Sequence, residues 1–405
     1  LGARGVGAVW RYTQLEGVEI KALCDLKPEL VKRSQGYLHN ANLPEADEYT
    51  TDTLAWQEMC QRDDIDLVYI CTDWVNHYPM MKYAMEHGKH VACEVPAALT
   101  LEEIWDLIET SERTRRHCMQ LENCVYDFFE LTTLNMAQQG LFGEIMHVEG
   151  AYIHTLSMGT SNSERRHWRL DYNWNNRGDV YPTHGLGPVA QLLNIHRGDK
   201  MEYLVSLDTR ATTSINDIKE SKGIDAEDFQ NGDHTNTLIR THKGKSILIE
   251  HNVATPRPYD RMYQLSGTKG FANKYPSEGY SLMPSQLTED VMGDHTNISG
   301  HSFVPEDVKE ALMAKYKHPI HQEIEETAKK VGGHGGMDYV MDYRLVYCLR
   351  NGLPLDMDVY DLAEWCCLVP LSKLSLENNS AAVEIPDFTR GGWDKVDGYR
   401  HAMAN

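Results

Sequence analysis

The sequence predicts a two-domain protein of mixed α/β class, with a doubly wound parallel sheet of Rossmann type followed by a large, mostly antiparallel sheet. A length of 405 residues exceeds what one hydrophobic core usually supports. Strand-like and helix-like segments alternate up to about residue 124, as in a parallel sheet. Beyond residue 125, short strands separated by turns precede a helical region. We therefore place one domain at 1–124 and a second α/β domain, with C-terminal helices, at 125–405.

The chain begins on a glycine loop, Leu1-Gly-Ala-Arg-Gly5. Gly2 and Gly5 match the second and third glycines of the dinucleotide fingerprint G-x-G-x-x-G, although an ordinary loop produces the same local pattern. Because no strand precedes this loop, we expect the first strand of the sheet to lie before residue 1. We expect any bacterial export signal to lie before residue 1 as well, so the sequence does not indicate the compartment.

The next strand indicates which dinucleotide the domain binds. Residues 18–24 have the pattern of a buried strand that ends at Asp25, 20 residues past Gly5. An acid at this place accepts hydrogen bonds from a ribose 2′-hydroxyl and repels a 2′-phosphate. The sequence therefore predicts NAD, rather than NADP, as the cofactor.

The rest of the first domain alternates helices and strands, and each strand ends in polar residues. Helices are predicted at 28–38, 79–87 and 101–117, and strands at 64–72, 89–93 and 118–122. Ligands of doubly wound sheets bind at the carboxyl ends of the strands. The residues there are Thr72, Trp74, Val75, Asn76 and His77, then Glu94, Val95 and Asn123.

The sequence of the second domain has the pattern of an antiparallel sheet. Strands are predicted at 147–154, 203–209, 235–240, 246–252 and 261–266, and helices within 305–350 and 357–378. Several strands alternate apolar and polar residues, which predicts one covered face and one that is solvated or paired with another subunit. A homo-oligomer formed through this open sheet is the expected assembly.

Composition excludes several classes of partner. A net charge of −21 argues against nucleic acid and against an anionic membrane surface. No run of about 18 apolar residues is present, so we predict a soluble protein without a membrane span. The nine cysteines have no repeating spacing and favour buried thiols over a disulfide framework.

Tyr181-Pro-Thr-His184 suits a general acid/base site that faces a small polar substrate. As one of 19 histidines, His184 could instead be an ordinary structural residue. His318, His321 and Glu325 have spacings of three and four, which place them on one helix face and could present ligands to zinc. No second ligand set accompanies them, so no metal is predicted.

Together, the glycine loop, Asp25, the strand ending at Thr72 and the Glu94-Val-Pro96 turn resemble the Gfo/Idh/MocA oxidoreductases. Ordinary members of that family have lysine at the central position of the turn, where it acts as an acid/base in hydride transfer. Here the position is Val95, which cannot move a proton. Plain alcohol dehydrogenation by the usual apparatus is therefore disfavoured.

The whole chain resembles a more specific group, glycoside hydrolase family 109. The resemblance rests on motifs in the same order along the chain: Ala3-Arg-Gly5, Trp74–His77, His90 to Ala97, Glu122-Asn123, Gly150-Ala-Tyr152, Trp168-Arg169, Tyr181–His184, Pro256 to Tyr259, His334 to Asp338 and Ile385 to Arg390. These are NAD-dependent enzymes whose characterised type is an α-N-acetylgalactosaminidase. The segment 155–165 departs from the pattern, and it could reshape the sugar pocket.

The resemblance implies a mechanism in which NAD stays bound through each turnover. His184 accepts the proton of the sugar 3-hydroxyl while hydride leaves C3, and the resulting ketone acidifies the hydrogen at C2. Tyr152 removes that proton, the aglycone leaves by elimination across C1 and C2, and water adds at C1. Re-reduction of C3 then gives a product with retained configuration.

The same resemblance assigns the remaining contacts. Substrate is held by Tyr152, Arg169, Tyr181, Pro182, Thr183, His184 and Tyr259, and cofactor by Gly2, Ala3, Arg4, Gly5, Asp25 and the strand-end residues named above. Taken singly, several have ordinary alternatives. Tyr152 could be a packing residue, Trp74 a core residue and Arg169 a surface arginine.

Two other functions remain open. A sugar or cyclitol dehydrogenase of the wider family would release NADH in step with product, and Val95 counts against it. A non-catalytic NAD- or sugar-binding protein would bind without turnover, and the presence of both Tyr152 and His184 counts against that.

Overall fold

The computed structural model describes residues 1–157 and 167–404. The chain forms two compact units. The first contains Leu1–Tyr126, Glu323–Cys366 and Arg400–Asn405, and the second contains Asp127–Gln322 and Cys367–Tyr399. Packing thus places residues 323–366 in the first unit, whereas two continuous ranges were expected. As functional domains, 1–124 and 125–405 stay a prediction.

Helices and strands are numbered in chain order. The α-helices are α1 (Gly2–Tyr12), α2 (Pro28–Asn40), α3 (Ala55–Cys60), α4 (Trp74–Glu86), α5 (Leu101–Thr114), α6 (Phe128–Gln138), α7 (Trp168–Asn175), α8 (Thr183–Leu192), α9 (Thr212–Lys222), α10 (Glu289–Met292), α11 (Glu306–Lys315), α12 (Pro319–Val331), α13 (Met337–Asn351), α14 (Val359–Cys366) and α15 (Leu368–Glu377). The strands are β1 (Ala22–Cys24), β2 (Asp47–Tyr49), β3 (Leu67–Ile70), β4 (His90–Cys93), β5 (Cys118–Gln120), β6 (Ile145–Ile153), β7 (Met201–Asp208), β8 (Thr235–Thr241), β9 (Ser246–Asn252), β10 (Asp260–Gly267), β11 (Gly270–Asn273), β12 (Gly279–Leu282) and β13 (Val383–Glu384).

The first unit is built on parallel strands. β1 pairs with β2, and β3, β4 and β5 form a second parallel group in that order. The crossovers between β3, β4 and β5 contain α4 and α5, the arrangement that parallel pairing requires. The predicted Rossmann-like parallel sheet is confirmed.

Caps set where the helices of this unit begin. Thr100 and Glu103 form a reciprocal capping box at the start of α5. At α4 the Asp73 side chain accepts the backbone N–H of Asn76. The prediction that this helix begins at Pro79 is therefore wrong, since the cap starts it at Trp74 and Pro79 lies inside.

The second unit contains an eight-stranded sheet in the order β12-β11-β10-β6-β9-β8-β7-β13. The pair β6–β9 is parallel, and the other neighbouring pairs are antiparallel. Helices α8 and α15 pack on the sheet, at β6 and β7 respectively. The predicted large and mostly antiparallel sheet is confirmed.

Cysteine burial follows the prediction closely. All nine thiols are free, eight are buried, and Cys24 is partly exposed. Among the residues that the structure describes, no helix combines the length and apolar character needed to cross a membrane.

Candidate functional site

The residues predicted to bind cofactor lie at the carboxyl ends of the parallel strands. Thr72 follows β3, Glu94 and Val95 follow β4, Asn123 follows β5, and Asp25 follows β1. Parallel strands present their carboxyl ends at one edge, and β3, β4 and β5 are hydrogen-bonded neighbours. Four of the predicted positions, at the ends of three strands, therefore share a sheet edge.

The glycine loop forms the first turn of α1. Gly2 has a φ of +56°, and a Cβ built there would lie 3.0 Å from the carbonyl oxygen of Cys71, so only glycine fits without strain. Leu1, at the N-cap of α1, offers no side-chain hydrogen bond to the helix, and a helix N-terminus favours a phosphate. These observations fit a dinucleotide, which Gly2, Ala3, Arg4 and Gly5 would hold through its pyrophosphate.

Asp25 is held as a carboxylate beside this turn. Its two oxygens accept the backbone N–H groups of Gly2 and Lys27, each at 2.8 Å. Burial raises the pKa of Asp25, but these hydrogen bonds outweigh it, so the pKa lies below its ordinary value. The group is therefore charged at neutral pH, as an acceptor of ribose hydroxyls must be.

Of the four predicted cofactor contacts at the start of α4, two are exposed and two are buried. Val75 and Asn76 are exposed, whereas Trp74 and His77 are buried. The His77 ring lies 2.8 Å from the carbonyl oxygen of Pro96 and 3.0 Å from that of Thr72. His77 thus ties the loop after β3 to the loop after β4.

In the second unit, a glycine pair brings the two predicted catalytic residues together. A Cβ on Gly150, in β6, would lie 2.1 Å from the carbonyl oxygen of Gly185, and a Cβ on Gly185 would lie 2.6 Å from the backbone nitrogen of Ala151. Backbone therefore packs on backbone where α8 crosses β6. Tyr152 follows one glycine by two residues, and His184 immediately precedes the other.

The side chains form an aromatic cluster. The rings of Tyr152 and His184 are 5.2 Å apart and nearly perpendicular. The Tyr181 ring lies 4.7 Å from that of Tyr152, and its hydroxyl is 3.5 Å from Nε2 of His184. Tyr152 also packs against the apolar cluster around Leu170 and Trp174. Both the packing role and the predicted catalytic role of Tyr152 are thus compatible with its position.

Arg169 supplies positive charge to this cluster. Its guanidinium carbon lies 5.3 Å from the centre of the Tyr181 ring, a cation–π distance. Burial, with the charge of Arg169 next, lowers the pKa of His154, and the same two causes lower that of His251 to about 3. Both histidines are therefore neutral at pH 7, and the arginine is not an isolated surface residue.

A buried network of charged side chains supports Tyr259. Its hydroxyl accepts a hydrogen bond from Arg261 at 3.1 Å, and Arg261 donates to Asp127 at 2.9 Å and to Glu130 at 2.6 Å. Lys274 contacts both carboxylates. The arginine side chain is only 2% exposed, so Tyr259 is held by a rigid support.

Asp179 lies in the loop that leads into α8. It is fully buried, one oxygen accepts the backbone N–H of Tyr181 at 3.1 Å, and the other has no partner among the described residues. Burial raises the pKa of Asp179 to about 7. A carboxyl that titrates near neutrality thus lies two residues from Tyr181.

Sequence reasoning missed His154, His251 and Asp179. His251 pairs directly with Tyr152 in the β6–β9 register, but β6 and β9 are distant in sequence and parallel, so no local pattern indicates their pairing. Of segment 155–165, whose role in specificity was predicted, residues 158–165 lie outside the described residues.

Comparison with known proteins establishes the family. Residues 126–395 match the glycosyl hydrolase 109 C-terminal domain, and residues 6–121 match the NAD-binding Rossmann fold of the Gfo/Idh/MocA oxidoreductase family. The chain therefore belongs to glycosyl hydrolase family 109, and NAD is its cofactor. Both were predicted from the sequence.

Two relatives from the same family are similar to this chain over its full length. Glycosyl hydrolase family 109 protein 1 of Bacteroides fragilis is 66% identical over all of this chain and 87% of its own length. A family 109 protein of Porphyromonas gingivalis is 65% identical over all of this chain and 86% of its own length.

Solved structures share the fold at low identity. An NAD-binding oxidoreductase from Klebsiella pneumoniae gives a TM-score of 0.68 at 15% identity, with 95% of each chain covered. Levoglucosan dehydrogenase, solved with NADH and L-sorbose, gives 0.70 at 16% identity, with 96% of this chain and 97% of that chain covered.

Proposed function

We propose that this chain is an NAD-dependent glycosidase that removes terminal α-linked N-acetylgalactosamine with retention of configuration. The observation that carries the proposal is the juxtaposition of Tyr152 and His184, a phenol and an imidazole 5.2 Å apart. The family supplies the reaction class, and Val95 in place of lysine disfavours the plain dehydrogenase.

Each base has one proton to move. Bound NAD supplies a reversible hydride acceptor for C3 of the sugar. His184 takes the proton of the 3-hydroxyl, and Tyr152 takes the proton at C2 once C3 is a ketone. The bond from C1 to the aglycone oxygen then breaks, and the electron pair from C2 forms the C1–C2 double bond. Water adds its hydroxyl to C1 and its proton goes to the departed aglycone oxygen. Tyr152 returns its proton to C2, and His184 returns its proton to the 3-oxygen as the hydride returns to C3.

We propose that the charge of Arg169 favours the ionised form of Tyr152 during catalysis. The rings of His154 and His251 lie beside Tyr152, and both histidines are neutral at pH 7, so Arg169 is the cation proposed to act on the phenol. A cation beside a phenol lowers its proton affinity. Arg169, Tyr181 and Tyr259 are the proposed contacts for sugar and acetamido oxygens, with Pro182 and Thr183 shaping the wall.

The test is hydrolysis of p-nitrophenyl α-N-acetylgalactosaminide in deuterated water. Release of p-nitrophenol with deuterium at product C2 and no accumulating NADH is the expected result. Accumulation of NADH without p-nitrophenol would make the protein a dehydrogenase, and binding without either change would make it a non-catalytic binder.

We also propose that the protein forms a homo-oligomer through the outward face of the eight-stranded sheet. Leu207 and Leu238 are 63% and 55% exposed, and Tyr203 is 43% exposed. In the β7–β8 register, Val205 pairs with Leu238 and Leu207 with Asn236, so these side chains are neighbours on one face. Apolar groups exposed on adjacent strands are typical of an interface.

A further inference from the structure

One buried carboxylate, Asp338, connects several residues predicted to hold the cofactor. Asp338 lies in the first turn of α13 and is 1% exposed. Its Oδ2 atom is 3.3 Å from Nη1 of Arg4 and 2.9 Å from Nδ1 of His334, and its Oδ1 atom accepts a hydrogen bond from the side-chain amide of Asn123. All four residues belong to the first unit.

The partners of Asp338 come from distant parts of the chain. Arg4 lies in the first turn of α1, and Asn123 follows β5. Arg4 also donates to Glu94, after β4, at 3.0 Å. Arg4, Glu94 and Asn123 were each predicted to contact NAD, whereas Asp338 was not.

The local backbone is shaped for this contact. Gly333, at a φ of +84°, packs so closely on Asp338 that a Cβ there would lie 2.7 Å from the Asp338 Cβ. The backbone N–H of Asp338 donates to the carbonyl of Gly333 at 3.2 Å. Burial raises the pKa of Asp338, but His334 and the charges of Arg4 and Arg11 outweigh it, so the group stays ionised. A fixed anion thus faces Arg4 and Asn123.

We propose that Asp338 is a positioning residue for NAD, which orients Arg4 and Asn123 and has no contact of its own with the reacting atoms. This inference rests on the proposed cofactor contacts of Arg4 and Asn123. Without the anion, the Arg4 guanidinium keeps its contacts with Glu94 and His334 but loses the charge of Asp338. The Asn123 amide loses the acceptor that orients it.

The same helix offers a matched control. Asp342, one turn further along α13, is also fully buried, and its carboxylate accepts from Nε of Arg11 at 2.6 Å and from the Tyr69 hydroxyl at 3.0 Å. Substitution of either aspartate removes a buried charge from α13, but only Asp338 contacts Arg4 and Asn123.

The experiment compares NAD binding in Asp338→Asn and Asp342→Asn. Apoprotein is titrated with NAD by calorimetry, and thermal unfolding is measured alongside. Loss of hydrogen bonds to a charged group costs roughly 10- to 100-fold in affinity, so Asp338→Asn should bind NAD roughly that much more weakly, while Asp342→Asn loses stability but keeps its affinity. Equal affinities in the two variants, or wild-type affinity in Asp338→Asn, would overturn the proposal.

A double-mutant cycle with Arg4→Met separates positioning from general destabilisation. If Asp338 acts through Arg4, the double variant binds NAD about as weakly as the weaker single variant, whereas independent effects would add. Asp338→Glu keeps the charge and serves if the asparagine variant does not fold, and wild-type affinity there would count against positioning. Because NAD titration needs no glycoside, failure of the glycosidase proposal would leave this result interpretable.

Discussion

At the scale of single residues, the proposed mechanism depends on Tyr152 having an ionisable hydroxyl. Tyr152→Phe keeps the ring that packs on Leu170 and Trp174 and removes only the proposed C2 base. We expect NAD content to be unchanged and release of p-nitrophenol to fall by roughly 10²- to 10⁴-fold, the usual contribution of a general base. Tyr83→Phe, which removes an exposed hydroxyl bonded to Gln61, is the control. Full activity in Tyr152→Phe would remove this residue from the mechanism.

The buried carboxyl of Asp179 gives a second prediction at this scale. Its pKa is about 7 in the folded protein and 3.8 as the ordinary value. The folded state therefore binds more protons between these values, and stability is lost as pH rises through 7. Asp179→Asn has no carboxyl to titrate, so this loss should be absent from it. From pH 4 to pH 8 its free energy of unfolding should therefore rise, relative to that of the wild type, by on the order of a few kcal/mol. Urea unfolding of both proteins across this range is the measurement, and parallel curves would contradict it.

At the scale of secondary-structure elements, α8 and β6 can align their side chains only because two glycines meet. Gly185→Ala places a Cβ 2.6 Å from the backbone nitrogen of Ala151, so the helix must move away from the strand. We expect a loss of about 1–3 kcal/mol of stability. Activity should fall roughly 100-fold, the effect of about 1 Å of misplacement at a catalytic group.

Gly36→Ala is the matched control for this substitution. Gly36 lies inside α2, and a Cβ there would meet nothing within 4 Å. Alanine should therefore stabilise the helix by up to about 1 kcal/mol and leave activity unchanged. Assays of both variants decide the matter, because wild-type activity in Gly185→Ala would mean that the glycine contact does not set the catalytic geometry.

The elements also show which features a single sequence can predict. Strand β9 was predicted at its observed bounds of 246–252, and β4 within one residue, because apolar runs with turn residues on both sides are local signals. Strand β1 was predicted at 18–24 but begins at Ala22, and α8 was not predicted as a helix. Its sequence contains Gly185, Gly187 and Pro188, which have low helix propensity, and only packing on β6 overrides that preference.

Some site residues can likewise be predicted from the sequence, and others cannot. Asp25, Glu94 and Asn123 were found because strand ends can be located from sequence and the family motif names them. Asp338 and His251 are brought to their positions by tertiary structure: one by the return of α13 to the first unit, the other by the parallel β6–β9 pair. Asp338 lies in a motif of the family, His334 to Asp338, but nothing in that motif indicates contact with Arg4 and Asn123, and no local pattern marks His251.

At the scale of the whole molecule, the proposed oligomer must form between copies that each carry a net charge of −21. Like charges repel and salt screens the repulsion, so raising the salt from about 0.05 to 0.3 M should strengthen association. Leu238→Glu adds a charge in the proposed apolar interface and should shift the protein toward monomer. Leu54→Glu adds the same charge at a leucine of similar exposure, 57% against 55%, in the first unit. Light scattering after gel filtration measures both, and equal masses for the two variants at each salt concentration would exclude the outward sheet face as the interface.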